Sequence, residues 1–104
     1  DGEYRIAGET VVLRDGEART RDGALAGSTL TLDRAVRLYM QFTGASLAEA
    51  WHSASLAPAQ EVGIDPETGS LDPGKRADLV LVRYDGTPES VSCASVFLGG
   101  VRVG

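Results

Sequence analysis

The chain has 104 residues, with ten Lys or Arg and fifteen Asp or Glu, so its formal net charge is −5. This length accommodates one domain or part of a larger protein. The acidic balance excludes the basic surface that nucleic-acid binding requires, and no apolar run approaches the roughly 20 residues of a membrane span. The single Cys93 excludes an internal disulfide, and the single His52 excludes a multi-imidazole metal site. We therefore expect a soluble protein of a reducing, cytoplasmic setting.

The first part of the chain predicts a small β-meander. The sequence opens at Asp1 on strand-like residues, without a charged and apolar leader, so we expect no secretory signal and a start inside a longer protein. Strand-like runs occupy residues 4–7, 10–13 and 17–20. Between them lie Gly8-Glu9 and Asp15-Gly16, and an Asp-Gly pair between strands is a strong hairpin signal, because both central residues of that turn need positive φ.

A loop of small residues is predicted at positions 24–29, directly after the meander. Small side chains let a backbone approach a ligand closely. The N–H groups of this loop also precede a predicted helix N-terminus, where polar or anionic ligand groups are favoured. The loop is therefore a candidate binding site.

The middle of the chain predicts three helices. The first is indicated by apolar residues at helical spacing, namely Leu32, Ala35, Val36, Tyr39 and Met40. This helix ends at Gly44, and the second begins at once, because Ser46 and Glu49 have the spacing of a capping box. A short third helix is predicted at residues 57–62, with Ser55 as its candidate cap.

The last part of the chain predicts β structure. Residues 64–77 are rich in turn-forming Pro and Gly and separate the helices from strands at residues 79–84 and 91–98. The first of these strands is apolar on both alternations, as a strand buried on both faces requires. Gly99-Gly100 predicts a hairpin turn into residues 101–103.

The reactive side chains of the sequence do not form a recognisable catalytic motif. His52 could act as a general acid or base, and a triad with Ser53 or Ser55 can be drawn, but no strand–turn–helix nucleophile elbow surrounds these serines. We interpret His52 as structural. Cys93 alternates with small residues in a predicted strand and is expected to be a small buried hydrophobic residue. The sequence therefore assigns no catalytic residue and no metal ligand to this chain.

Three stretches resemble a known family. Residues 22–36, DGALAGSTLTLDRAV, resemble the DG-LAGS-LTM--AV signature of the N-acetylglucosamine-6-phosphate deacetylases of the amidohydrolase superfamily. Residues 55–80, which run from SLAPA to GSLDPGKRADLV, are similar to the closing NPA…G-L-PGK-ADLV pattern of many amidohydrolases. Residues 97–103, FLGGVRV, resemble the last hairpin of the family.

The resemblance implies an α/β fold, namely the end of a metal-dependent (β/α)8 amidohydrolase barrel plus part of the small β-sandwich domain. Residues 1–63 would form the C-terminal end of the catalytic barrel with a β-meander insertion. Residues 64–104 would form the C-terminal strands of the sandwich. The apolar faces of these elements would meet the N-terminal barrel portion of the same protein, so we expect them to be uncovered in this chain.

The resemblance also implies a reaction. In the family, a metal-activated water attacks the acetamide carbonyl of N-acetylglucosamine 6-phosphate, and the products are glucosamine 6-phosphate and acetate. The divalent metal, of zinc or iron type, would be held upstream together with the catalytic Asp, so the chain alone would be inactive. Only a substrate contact carries over, and it falls on Leu25, Ala26 and Gly27. A homodimer is a further option for the family.

Two other functions stay open on the sequence. One is a different amidohydrolase reaction, on a cyclic or linear amide. The other is a non-catalytic structural or binding domain that is complete in these residues. An upstream His-x-His region and a Thr-Asp pair would favour the enzyme, whereas a start codon just before Asp1 would favour the binding domain.

Overall fold

The computed structural model describes residues 1–104, which form two compact units, Asp1–Thr31 and Leu32–Gly104. We call them unit 1 and unit 2. The boundary between them falls inside the 1–63 segment that the sequence analysis treats as one part. The 1–63 and 64–104 segments refer to the domains expected in a complete enzyme, which this chain does not contain. The assignment of each segment to a domain therefore stays a prediction.

Unit 1 is a four-stranded antiparallel sheet with the strands in chain order, so the predicted meander is confirmed. Its strands are β1 (Gly2–Ile6), β2 (Glu9–Arg14), β3 (Glu17–Thr20) and β4 (Leu25–Gly27). The β2–β3 turn has φ of 52° at Asp15 and 78° at Gly16, as a primed hairpin turn requires. The first turn is centred on Ala7 and Gly8, one residue earlier than predicted.

Unit 2 begins with the three predicted helices, α1 (Leu32–Thr43), α2 (Leu47–Ala54) and α3 (Leu56–Glu61). Gly44 ends α1 with φ of 72° and donates its N–H to the Met40 carbonyl at 2.9 Å. The capping box of α2 is present, because Ser46 Oγ accepts the Glu49 N–H at 3.1 Å and Glu49 Oε1 accepts the Ser46 N–H at 3.2 Å. The prediction of a side-chain cap at Ser55 is wrong, since its hydroxyl makes no capping bond.

Unit 2 ends in a three-stranded antiparallel sheet, in the order β5 (Leu79–Arg83), β6 (Ser92–Leu98) and β7 (Val101–Arg102). A short 3-10 helix at Pro88–Ser90 lies between β5 and β6. The predicted hairpin turn is confirmed by φ of 57° at Gly99 and 84° at Gly100. Asp78 Oδ1 accepts the Gly99 N–H at 2.9 Å, so this carboxylate stabilises the turn.

The core of unit 2 is small and joins the helices to the sheet. Its buried members are Val36, Met40, Ala50 and Val91, with Leu47, Trp51, Ala54 and Val82 partly buried around them. Arg37 Nη1 donates to the carbonyl of Val91, the residue before β6, at 3.0 Å, which fixes α1 to this end of the sheet. The helical stripe read from the sequence therefore contains the residues that bury α1.

Two burial predictions in this sheet are wrong. Strand β5 is not buried on both faces, because Val80 is 38% and Leu81 56% exposed. Cys93 is exposed rather than buried. The helices of unit 2 pack around Val82 and Val91, so the neighbouring strand positions lie outside the covered area.

The capping box allows a matched comparison of two serines. We expect Ser46→Ala to lower the free energy of unfolding by about 1 kcal/mol, because the Glu49 N–H loses its acceptor. Ser55→Ala is the control, since the Ser55 side chain caps no helix. Urea denaturation of both variants measures the difference. Equal midpoints for the two variants would show that the Ser46 cap does not contribute to stability.

The same capping box predicts a pH dependence. The Ser46 backbone N–H, followed by its side chain, holds the pKa of Glu49 below the ordinary value of 4.5. A lowered folded-state pKa means that this contribution to stability is complete above the unfolded-state pKa and is lost as pH falls through the folded-state value. We therefore expect wild type to exceed Glu49→Gln in denaturation midpoint at pH 7, with the difference shrinking below pH 4.5. A constant difference across that range would contradict the assignment. The pKa of Asp85 is also lowered, but Asp85 is present in both proteins, so its contribution to the pH dependence cancels in the difference.

Candidate functional site

The three predicted substrate-contact residues, Leu25, Ala26 and Gly27, form strand β4 rather than part of a loop. The loop prediction for these residues is wrong, because Ala18 and Arg19 of β3 pair with them. Strand β4 stands at the edge of the sheet, and all three residues are exposed, Leu25 by 68%. One side of this short strand is therefore open to a ligand.

A β-bulge interrupts the pairing of β4. Ala18 faces Gly27 and Arg19 faces Leu25, so one step along β3 corresponds to two steps along β4 and Ala26 has no residue opposite. A bulge bends its strand and re-aims the backbone, and bulges are frequent beside binding and active sites. The central residue of the predicted contact is thus the extra residue of the bulge.

The start of β4 is held by the turn that precedes it. Thr20 donates its N–H to the Ala24 carbonyl at 2.8 Å, and its Oγ1 accepts the Ala24 N–H at 3.2 Å. The Thr20 hydroxyl also donates to the Asp22 carboxylate. This hydrogen bond, together with the Ala24 N–H, lowers the pKa of Asp22. Asp22 therefore stays ionised at neutral pH and acts as a turn-stabilising acceptor.

The end of β4 is held by Thr29. Its Oγ1 donates to the Gly16 carbonyl, in the β2–β3 turn, at 2.7 Å. Ser28 Oγ accepts the Leu30 N–H at 3.0 Å, which shapes the chain locally. Composition placed Thr29 in the candidate loop without a role for its hydroxyl, and it did not single out Thr20 or Asp22. The Thr-x-Asp spacing around the turn could have indicated the hydrogen bond between Thr20 and Asp22. Neither the bulge nor the Thr29–Gly16 hydrogen bond has a local sequence signature.

His52 and its neighbouring serines do not form a catalytic triad. His52 is exposed on α2, and Ser53 Oγ donates to the Glu49 carbonyl at 3.2 Å rather than to the imidazole. The Ser55 backbone N–H donates to the His52 carbonyl at 3.3 Å, but no hydrogen bond joins the imidazole to either serine hydroxyl. The interpretation of His52 as structural stays a prediction.

The chain does not bring together a set of metal ligands. Nowhere do three or more His, Cys, Asp or Glu side chains converge. Protein sites for catalytic zinc use three such ligands with an open position. The residues of this chain therefore do not fit the metal that the family resemblance implies, and no step through a metal is assigned to them.

Unit 2 carries an open apolar groove of about 730 Å³ between its helices and β5. Large exposed side chains line it, namely Leu32, Val62, Ile64, Leu71, Val80 and Leu81. Leu71 is 82% and Val62 71% exposed. Contiguous apolar surface of this kind usually marks a contact with other polypeptide or a ligand.

None of the helices has the length and apolarity to span a bilayer.

Relatives with known names match most of this chain. A putative N-acetylgalactosamine-6-phosphate deacetylase of Escherichia coli K12 is 52% identical over 80 residues, which are 77% of this chain and 48% of that protein. An N-acetylglucosamine-6-phosphate deacetylase of Vibrio furnissii is 40% identical over 85 residues, or 82% of this chain and 21% of the relative. The chain thus spans about half of the first relative and about a fifth of the second.

A solved structure and a family model agree with these relatives. The N-acetylglucosamine-6-phosphate deacetylase of Pasteurella multocida superposes with a TM-score of 0.79 and 26% identity, over 99% of this chain and 26% of that one. The family model for the amidohydrolase family matches residues 19–103. This match includes β4 and nearly all of unit 2, so the resemblance read from the sequence is confirmed: the chain belongs to the amidohydrolase family.

Proposed function

We propose that the protein containing this chain hydrolyses the acetamide of N-acetylglucosamine 6-phosphate to glucosamine 6-phosphate and acetate. The observation that carries the proposal is the superposition of nearly the whole chain on the Pasteurella multocida deacetylase. The Vibrio furnissii relative has the same activity in its name. Its sequence similarity to this chain is a second observation in support of the proposal.

In this proposal, β4 contributes to binding the sugar phosphate. Leu25, Ala26 and Gly27 are exposed at the sheet edge, and the bulge at Ala26 takes the backbone out of the regular ladder. Small side chains at Ala26 and Gly27 permit close approach to the substrate. The chain supplies shape and hydrogen-bonding backbone at this point, while the reactive groups come from the rest of the protein.

The divalent metal of the proposed reaction, of zinc or iron type, would activate the attacking water. Since this chain offers no set of ligands, those ligands and the catalytic Asp would belong to polypeptide outside it. The proposal predicts that residues 1–104 alone release no acetate. In this proposal, the role of residues 1–104 is to help bind the substrate and to pack against the rest of the protein.

The proposed architecture is a (β/α)8 barrel joined to a small sandwich, with residues 1–63 in the first and 64–104 in the second. The apolar groove of unit 2 supports this, because Val62, Leu71 and Leu81 need a cover. We assign that cover to the N-terminal barrel portion of the same protein. A hydrophobic dye should bind residues 1–104 alone and should not bind the complete protein; equal dye binding would contradict this assignment.

We further propose that the complete protein is a homodimer located in the cytoplasm.

The direct test is release of acetate from N-acetylglucosamine 6-phosphate by the complete, metal-loaded protein. Acetate can be quantified by NMR, with chelator-treated protein as the control. We expect acetate and glucosamine 6-phosphate in equal amounts. A folded, metal-loaded protein that releases no acetate would overturn the proposed function and leave the other amidohydrolase reactions.

A second candidate substrate is N-acetylgalactosamine 6-phosphate. It is favoured by the higher identity to the E. coli relative, 52% against 40% for the Vibrio furnissii enzyme. The two sugars share the acetamide and the phosphate and differ only in the configuration of one ring hydroxyl. Parallel measurements of kcat/KM on both sugars decide between them, because discrimination is the ratio of these values.

A further inference from the structure

Strand β4 needs support from outside its own pairing to hold a defined position. It has three residues, a single neighbouring strand and a bulge at its centre. A strand this short, paired on one side only, gains few ladder hydrogen bonds against the conformational entropy of its backbone. The position of Ala26 and Gly27 therefore depends on how the two ends of the strand are fixed.

The two ends are fixed differently. At the start, three hydrogen bonds between Thr20 and Ala24 close the β3–β4 turn. After Gly27, residues 28–31 make no backbone hydrogen bond to the sheet, and the Ser28–Leu30 bond is local to this segment. The Thr29 hydroxyl makes the one hydrogen bond from this segment to the sheet, to Gly16 at 2.7 Å.

The acceptor of this bond belongs to a well-defined turn. Gly16 lies in the β2–β3 hairpin, where Asp15 and Gly16 both have the positive φ of a primed turn. The two strands that this turn joins are paired along their length, from Val11 with Thr20 to Arg14 with Glu17. The Thr29 hydroxyl thus connects the exit of β4 to a fixed point of the sheet.

We propose that Thr29 is a positioning residue for substrate binding: its hydroxyl holds Ala26 and Gly27 in the binding geometry by fastening the chain after β4 to Gly16. This inference rests on the proposed function of β4. Thr29 acts through the strand, so its loss affects how tightly substrate binds rather than the chemical step.

The test compares Thr29→Val with Thr29→Ser in the complete protein. Val keeps the shape of Thr and removes the hydroxyl, whereas Ser keeps the hydroxyl. We expect Thr29→Val to raise KM about three- to ten-fold, the range of one lost hydrogen bond, with kcat within about two-fold of wild type. Thr29→Ser should restore the wild-type KM. Thr10→Val is the matched control, because Thr10 belongs to the same sheet, in strand β2, which does not pair with β4.

Two kinetic results would overturn the inference. One is a wild-type KM in Thr29→Val. The other is an equal loss in Thr29→Ser, which would show that the hydroxyl is not responsible. Hydrogen exchange over residues 25–29 provides a readout independent of activity, and it should be faster in Thr29→Val only. Absence of deacetylation by wild type would overturn the proposed function alone, whereas unchanged exchange in Thr29→Val would overturn the positioning role.

Discussion

Gly27→Val in the complete protein is expected to reduce kcat/KM for the amino-sugar phosphate by about 100-fold, because displacement of a bound substrate by about 1 Å has that effect. The structure accommodates the new side chain. A Cβ at Gly27 meets no atom within 4 Å, and φ at this residue is outside the positive range. Val also suits an extended strand. The loss would therefore come from the space that the substrate needs and not from damage to the fold.

The control for this variant is Ala24→Val. Ala24 is exposed and directly precedes β4, but lies outside the predicted contact. Thermal unfolding of both variants should match wild type, as is usual for exposed positions. Wild-type kcat/KM in Gly27→Val would remove Gly27 from the binding site. Equal losses in both variants would indicate a general disturbance of the sheet.

The features that the sequence predicted well are those determined by neighbouring residues. The Asp15-Gly16 turn depends on two residues that tolerate positive φ, and the α2 cap depends on Ser46 and Glu49 alone. The stripe through Val36 and Met40 likewise follows from helical spacing. Such patterns specify local structure with little reference to the rest of the chain.

The features that the sequence did not predict depend on distant residues. The bulge at Ala26 arises from the register between β3 and β4, and the Thr29–Gly16 bond spans 13 positions. The exposure of Cys93 and Val80 depends on which surfaces other elements cover, and alternation along a strand does not contain that information. Three consecutive small or apolar residues at 25–27 accordingly looked like a loop.

Gly69→Ala should be the most destabilising single-atom change in unit 2. A Cβ at Gly69 would lie 2.9 Å from the Ala59 Cβ and 3.3 Å from the Leu56 Cα, both on α3. Ala59 is buried, and the backbone of a helix moves little, so the clash is not relieved by a rotamer change. Gly69 also has φ of 99°, which L side chains rarely adopt. We expect the free energy of unfolding to fall by about 2–4 kcal/mol, since overpacking and left-handed strain add.

Gly63→Ala separates these two causes. Gly63 also has a positive φ, of 79°, but a Cβ there meets nothing within 4 Å. Its loss of stability should therefore reflect backbone strain alone, about 1–2 kcal/mol. Denaturation midpoints of the two variants, measured in the same form of the protein, give the difference that belongs to the contact with α3. If both variants lose the same stability, the close packing of residues 56–69 does not contribute, and the turn before β5 is free to move away from the helix.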